Sequence, residues 1–203
     1  MKIPVILRKI TYCLIVIISI QKMKFNILVF FVSAIALASC VDIPDFSDTP
    51  TIFYNGIDQF TETDSTGRRI RENVIITIDF EDGNGDLGAT SDERNDPKFT
   101  APYAKFMAPY AALGNYELVT ARKELNGKWT ESILAGDSLK WMPILKPDGK
   151  AGPIKGKLDL NTSFLYGNST VPITLKFKVR IKDRALHQSN QIETDSVVVP
   201  GYR

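Results

Sequence analysis

Cysteine, histidine and long apolar runs are what this chain of 203 residues is short of, and each shortage removes a class of chemistry. Its two cysteines are Cys13 and Cys40, so nothing after residue 40 can build a disulfide framework or a cysteine-ligated metal site. His187 is the single histidine, which excludes a metal site built on several imidazoles and obliges any Ser-His-Asp relay to run through it. Asp183 and Ser189 are near it in sequence, but residues that close in one turn rarely reach relay geometry, so His187 is expected to be a polar turn residue. There is no phosphate-cradling glycine loop and no nucleophile elbow. No repeat at the roughly 20–50-residue period of solenoids occurs. A spanning helix needs ~20 continuous apolar residues. Neither Ile10–Ile20 nor Ile27–Ala38 reaches that, and Gln21, Lys22, Lys24 and Asn26 interrupt them.

What precedes Cys40 has the order of an export signal: the positive pair Lys22 and Lys24, the apolar run Ile27–Ala38, then the small residue Ser39. The sequence LASC at Leu37–Cys40 resembles the lipobox of bacterial lipoproteins. That resemblance implies cleavage ahead of Cys40 and acylation of its sulfur and new amino group. Residues 1–39 are then a signal peptide, with 1–22 an upstream extension if translation starts at Met23. Cys13 follows the bulky Tyr12 and makes a poor processing site. Residues 40–50 are the lipidated cysteine and its tether: VDIPDFSDTP at Val41–Pro50 carries two prolines and three aspartates and reads as extended chain. Asp42, Asp45 and Asp48 loosely resemble surface-export signals of Bacteroidota lipoproteins, which leaves cell-surface and periplasmic display both open. Several acyl chains, at ~0.8 kcal/mol per buried methylene, would hold the protein firmly on a membrane.

Removing the signal reverses the charge. Five lysines and arginines and no acids precede Cys40, so a formal +2 becomes 20 bases against 23 acids, or −3. A slightly acidic domain lacks the basic footprint of nucleic-acid binding.

Residues 51–203 read as one all-β domain. Val171–Lys182 alternates without a fault, with Val171, Ile173, Leu175, Phe177, Val179 and Ile181 on one face and a basic, solvated set ending at Lys182 on the other. Asn73–Phe80 has the β-branched density of a strand. Asn126-Gly127 predicts a type I′ hairpin inside Tyr116–Glu131. Ile154–Leu160 alternates again, and Gln191–Val199 closes the chain as a strand. Pro102 and Pro109 are expected to break any helix through Phe99–Tyr110. Short strands punctuated by Gly, Pro and Asn point to an antiparallel sandwich. DGNGDLG after a β-branched strand, the NGKW hairpin and KDRALHQSNQIET together resemble Bacteroidota lipoproteins with an immunoglobulin-like β-sandwich. The resemblance implies an immunoglobulin-like sandwich and an envelope location, and it implies no activity.

Two stretches are candidate sites. In DFEDGNGDLG (Asp79–Gly88), Asp82, Asn84 and Asp86 offer oxygens at positions one, three and five of a loop, and Glu93 falls at position twelve, where a calcium loop places its bidentate carboxylate. Leu87 stands at position six, where that loop family needs glycine, and a strand precedes the loop. Ca2+ and a plain glycine turn closed on its own backbone are both open on these residues. The second stretch is aromatic: Phe99, Tyr103, Phe106 and Tyr110, followed by Trp129 and Trp141, offer a platform for a glycan or a protein partner, or a seal on the sandwich core. The expectation is a non-catalytic binding or accessory module, lipid-anchored in the outer membrane, or a structural subunit docked on an outer-membrane barrel. A hydrolytic enzyme ranks last, because the only histidine is badly placed.

Overall fold

The computed structural model describes residues 44–104 and 114–202. The expected signal peptide, Cys40, Phe106 and Tyr110 lie outside them. Among the described residues, eight strands form two antiparallel sheets. The first sheet has the order β1 (Thr51–Thr63), β2 (Arg69–Asp82), β5 (Ile154–Leu165). The second runs β4 (Trp129–Ser132), β3 (Tyr116–Lys123), β6 (Val171–Ile181), and β6 then pairs on its far side with β7 (Ile192–Glu193) and β8 (Val197–Gly201). The chain therefore changes sheets between β2 and β3, between β4 and β5, and between β5 and β6. That is an antiparallel two-sheet sandwich, the all-β class expected from the sequence.

Alternation places the core. Val74, Ile76, Ile78 and Phe80 of β2 face Leu118 of β3 and Leu175, Phe177, Val179 and Ile181 of β6 across the sandwich, all in one buried cluster. Each such side chain, fully buried, contributes roughly 1.5–3 kcal/mol. Side chains tie the edge of β1 to the second sheet: the Tyr54 hydroxyl donates to Asp195, Gln59 donates to the Val198 carbonyl, and Asn190 makes two bonds to Ile52. Asn190 donates from Nδ2 to the Ile52 carbonyl and accepts at Oδ1 from the Ile52 amide, both at 2.8 Å, standing in for a missing strand pair.

Four local expectations are corrected. The hairpin between β3 and β4 is where Asn126-Gly127 put it, but the turn is not type I′. The Gly127 amide donates to the Glu124 carbonyl, the Glu124 amide donates to the Lys128 carbonyl, and only Gly127 has a positive φ, 79°. That is a type I turn followed by a left-handed residue. The closing strand is split because Thr194 interrupts it: its hydroxyl accepts from the Phe177 amide at 3.0 Å and donates to the Asp195 carbonyl, so a side chain replaces a backbone partner. Lys182 does not lie on a solvated face. It is buried, donates from Nζ to the Tyr103 carbonyl at 3.0 Å, and is pushed down to about 8 by burial.

The cover over Lys182 is the fourth correction. Two short helices, α1 (Ser91–Asn95) and α2 (Pro97–Ala104), follow the loop after β2, and Pro102 sits inside α2. Pro97 occupies the first helical position, where its missing N–H costs nothing. Pro102 removes one helical bond. The helix is held instead by tertiary packing, since Phe99 and Tyr103, four residues apart on one face, both meet Trp141.

Candidate functional site

β2 ends at Asp82 in the first sheet, and β6 ends one residue before Lys182 and Asp183 in the second. The two sheets converge at this end of the sandwich. The loop after β2 is tied to the connection after β6 by a bridge between Leu87 and Asp183. The result is a three-carboxylate cluster: one ligand oxygen from each of Asp82, Asp86 and Asp183 lies within 4.8 Å of the others. Asp82 and Asp183 are 0% exposed, and Asp86 is half-buried.

Each oxygen can be followed. Asp82 Oδ2 accepts from the Asp86 amide at 3.1 Å, while Asp82 Oδ1 is buried with no hydrogen-bond partner. Asp86 Oδ1 is likewise buried and unpartnered. Burial, then the charge of Asp86, pushes the Asp82 carboxyl up to about 6. Asp86 is raised by burial and then by Asp183. Asp183 is better satisfied: its Oδ1 accepts from the His187 amide and its Oδ2 pairs with His187 Nδ1, both at 2.7 Å. That contact is the largest cause of the raised His187 pKa.

The turn holding Asp183 repeats two others. At Asp64–Arg68, Glu124–Lys128 and Asp183–His187, the fourth residue's amide donates to the first residue's carbonyl, and the first residue's amide donates to the fifth residue's carbonyl. Gly67 and Gly127 fill the left-handed fourth position in two of them. The third has Leu186 at φ 70°, the one non-glycine residue with positive φ among the described residues. As Asp64 Oδ1 accepts the Arg68 amide, so Asp183 Oδ1 accepts the His187 amide. Asp183 thus has a turn-forming duty of its own, and the orphaned oxygens of Asp82 and Asp86 are what distinguish this end of the molecule.

The loop's other polar groups are committed. Asn84 Oδ1 accepts from the Asp86 amide at 3.1 Å, and the Asn84 carbonyl accepts from the Gly152 amide. Glu93 is not brought to the cluster. It closes a capping box with Thr90 at the start of α1 and pairs with Arg184, and that pair, with the Thr90 amide, holds its carboxyl down at about 2. Position twelve of a helix-flanked calcium loop therefore has no counterpart here, and the third carboxylate beside Asp82 and Asp86 is Asp183, from the turn after β6. Spacing could not have found Asp183, because its nearness to Asp82 exists only across the two sheets.

The expected tether reaches this site. The Gly83 amide donates to the Ser47 carbonyl at 2.8 Å, and a Cβ on Gly83 would collide with the Phe46 carbonyl oxygen. Pro44–Pro50 is thus not free chain; it is fastened to the loop. A cleft of about 420 Å³ opens beside Asp86, lined by Asn84, Leu87, Ile144, Lys146 and Arg184.

Of the aromatic candidates, Phe99, Tyr103 and Trp141 pack on one another with ring centroids 5.1 to 6.0 Å apart. Tyr103 is buried, and its hydroxyl donates to the Asp183 carbonyl at 3.1 Å. These rings therefore seal the sandwich end and back the carboxylate cluster. Trp129 is elsewhere, on β4 beneath Lys176 Nζ at 4.6 Å from the ring centroid. A larger cleft lies at the opposite end of β2, lined by Arg69, Tyr166 and Thr170 among others, where the Arg69 guanidinium stacks over Tyr166.

No protein-family model, curated protein or solved structure matches this chain.

Proposed function

We propose that this chain is a non-catalytic accessory module, anchored through acylated Cys40 to the outer membrane of a Gram-negative cell. The observation that carries the reading is LASC at Leu37–Cys40, set directly ahead of a folded sandwich. Two features support a non-catalytic role. Asp183 orients His187, but the neighbouring Ser189 hydroxyl is engaged at the Ile181 amide and the Asn190 carbonyl, so the pair has no nucleophile in that turn. Three of the rings expected to form a sugar platform, Phe99, Tyr103 and Trp141, pack on each other, which favours protein docking over glycan capture. Phe53 and Phe60, half exposed on the edge strand β1, are the apolar groups such a partner would meet.

The test is metabolic labelling with a clickable palmitate analogue in cells expressing the full chain. The wild type should carry label and fractionate with outer membranes, and Cys40→Ser should lose both properties. A Cys40→Ser protein that stays labelled would overturn the anchor. In-cell crosslinking should then trap one dominant membrane-protein partner; recovery of the chain only as an uncrosslinked monomer counts against the accessory role.

A further inference from the structure

We infer that Asp82, Asp86 and Asp183 form a calcium site that staples the two sheets together at the end of the sandwich where the anchor segment is fastened. Three observations carry this, and none depends on the chain being a lipoprotein. The first is the pair of orphaned oxygens. A buried carboxylate oxygen with no partner is costly, of the order of a hydrogen bond to a charged group or more, and native proteins keep one where something satisfies it. Asp82 Oδ1 and Asp86 Oδ1 are both in that state, and they belong to the same constellation.

The second is the donor set. All three side chains are carboxylates, so the site offers hard oxygen and neither sulfur nor nitrogen. Oxygen-only sites suit Ca2+ or Mg2+ rather than zinc or copper. A cluster this irregular, with two ligands from a glycine-rich loop and one from a separate turn, matches the flexible geometry calcium accepts better than the near-ideal octahedron magnesium demands. Water supplies the remaining positions through the cleft beside Asp86.

The third is where the ligands come from. Asp82 is the last residue of β2, Asp86 is in the loop that carries the Ser47 contact, and Asp183 follows β6. One cation would join the first sheet, the second sheet and the loop that holds the anchor segment. In a domain with no cysteine after residue 40, an ion does the cross-linking that a disulfide does in many extracellular sandwiches.

The experiment uses the full chain in detergent, stripped with chelator, and CaCl2 as the only ligand. Isothermal titration should give one saturable site with a Kd on the order of 10⁻⁴ M, the range of extracellular calcium modules. At a hundred times Kd the melting midpoint should rise by roughly 5–10 °C. Asp86→Asn and Asp183→Asn should each weaken binding about tenfold or more. Glu93→Gln should leave it unchanged. Asp86 is half-buried and makes none of the bonds that close the His187 turn, and an asparagine there keeps an oxygen to accept from the Ala185 amide, so Asp86→Asn decides the matter if Asp183→Asn fails to fold. The proposal is overturned if no saturable heat appears up to about 10 mM calcium. It is also overturned if Glu93→Gln abolishes binding while Asp86→Asn retains it. Binding without any rise in the melting midpoint overturns the staple.

Discussion

Asp82 holds its proton more tightly in the folded chain than in the unfolded one, because burial and the neighbouring Asp86 charge push it from 3.8 to about 6. Its contribution to stability is therefore complete below 3.8 and is lost as the pH rises through 6. Asp86 and His187 are raised as well and lean the same way. For chelator-treated protein, the melting midpoint should fall between pH 5 and pH 7.5, with Asp82 accounting for on the order of 1–2 kcal/mol after screening. Asp82→Asn removes the titrating group, so its melting curves should converge across that interval; a variant as pH-sensitive as the wild type would place the effect elsewhere. Leu186 is the other residue with a distinct expectation. A side chain in the left-handed region costs about 1–2 kcal/mol. Leu186→Gly should thus stabilise by ~0.5–1 kcal/mol, while Gly127→Ala, in the same position of the equivalent turn, should cost about 1 kcal/mol. Urea denaturation of the two variants checks this, and equal losses in both would mean that φ does not set the cost.

Among the elements, α2 is the one whose existence depends most on its neighbours. Eight residues with an internal proline have little helical stability of their own. Its Tyr103 is the hub: the ring meets Phe99 and Trp141, the hydroxyl reaches the Asp183 carbonyl, and the carbonyl takes the Lys182 ammonium. Tyr103→Ala should cost ~3–5 kcal/mol, as large aromatic truncations in cores do. Tyr103→Phe should cost only ~1 kcal/mol, the worth of its hydrogen bond. Chemical denaturation separates the two, and a Tyr103→Phe loss as large as that of Tyr103→Ala would show that the hydroxyl, not the ring, does the packing work. β7 and β8 behave differently, since Thr194 interrupts an otherwise continuous strand with a bond to Phe177 that a hydroxyl supplies and a methyl cannot.

At the scale of the whole molecule, β1 pairs with β2 alone within its sheet, and Asn190 is the tie to the second sheet that makes two bonds to one β1 residue, beside the contacts of Tyr54 with Asp195 and Gln59 with Val198. Asn190→Ala deletes both bonds to Ile52. It should cost about 1–3 kcal/mol and speed amide exchange along β1 far more than along β3 or β6. Uniformly faster exchange would argue that Asn190 supports the whole fold and not one edge. Under the anchoring we propose, protease added to intact cells separates the two faces of the outer membrane: a domain displayed at the surface is cleaved, and protection of the folded domain favours the periplasmic face.

Local pattern was enough for the fold class and for the strands other than β1, whose pairing slips between Tyr54 and Gly56 and which alternation did not mark. Alternation in Val171–Ile181 and β-branched density in Asn73–Phe80 each dictate which face enters the core, because the side-chain period of a strand is two whatever it pairs with. The LASC motif behind the proposed anchor and the acidic glycine loop are equally local features of the sequence. What only the tertiary structure decided are the relations across the sandwich. Asp183 meets Asp82 because two strands from different sheets end at the same height. Glu93 leaves the cluster because Arg184, on the same distant connection, claims it. Lys182 and Tyr103 are buried because α2 folds over a strand face that alternation alone marks as solvated. Sequence spacing carries information about neighbours along one element; it carries none about which ends of two sheets are brought together, and the carboxylate cluster is made by that meeting.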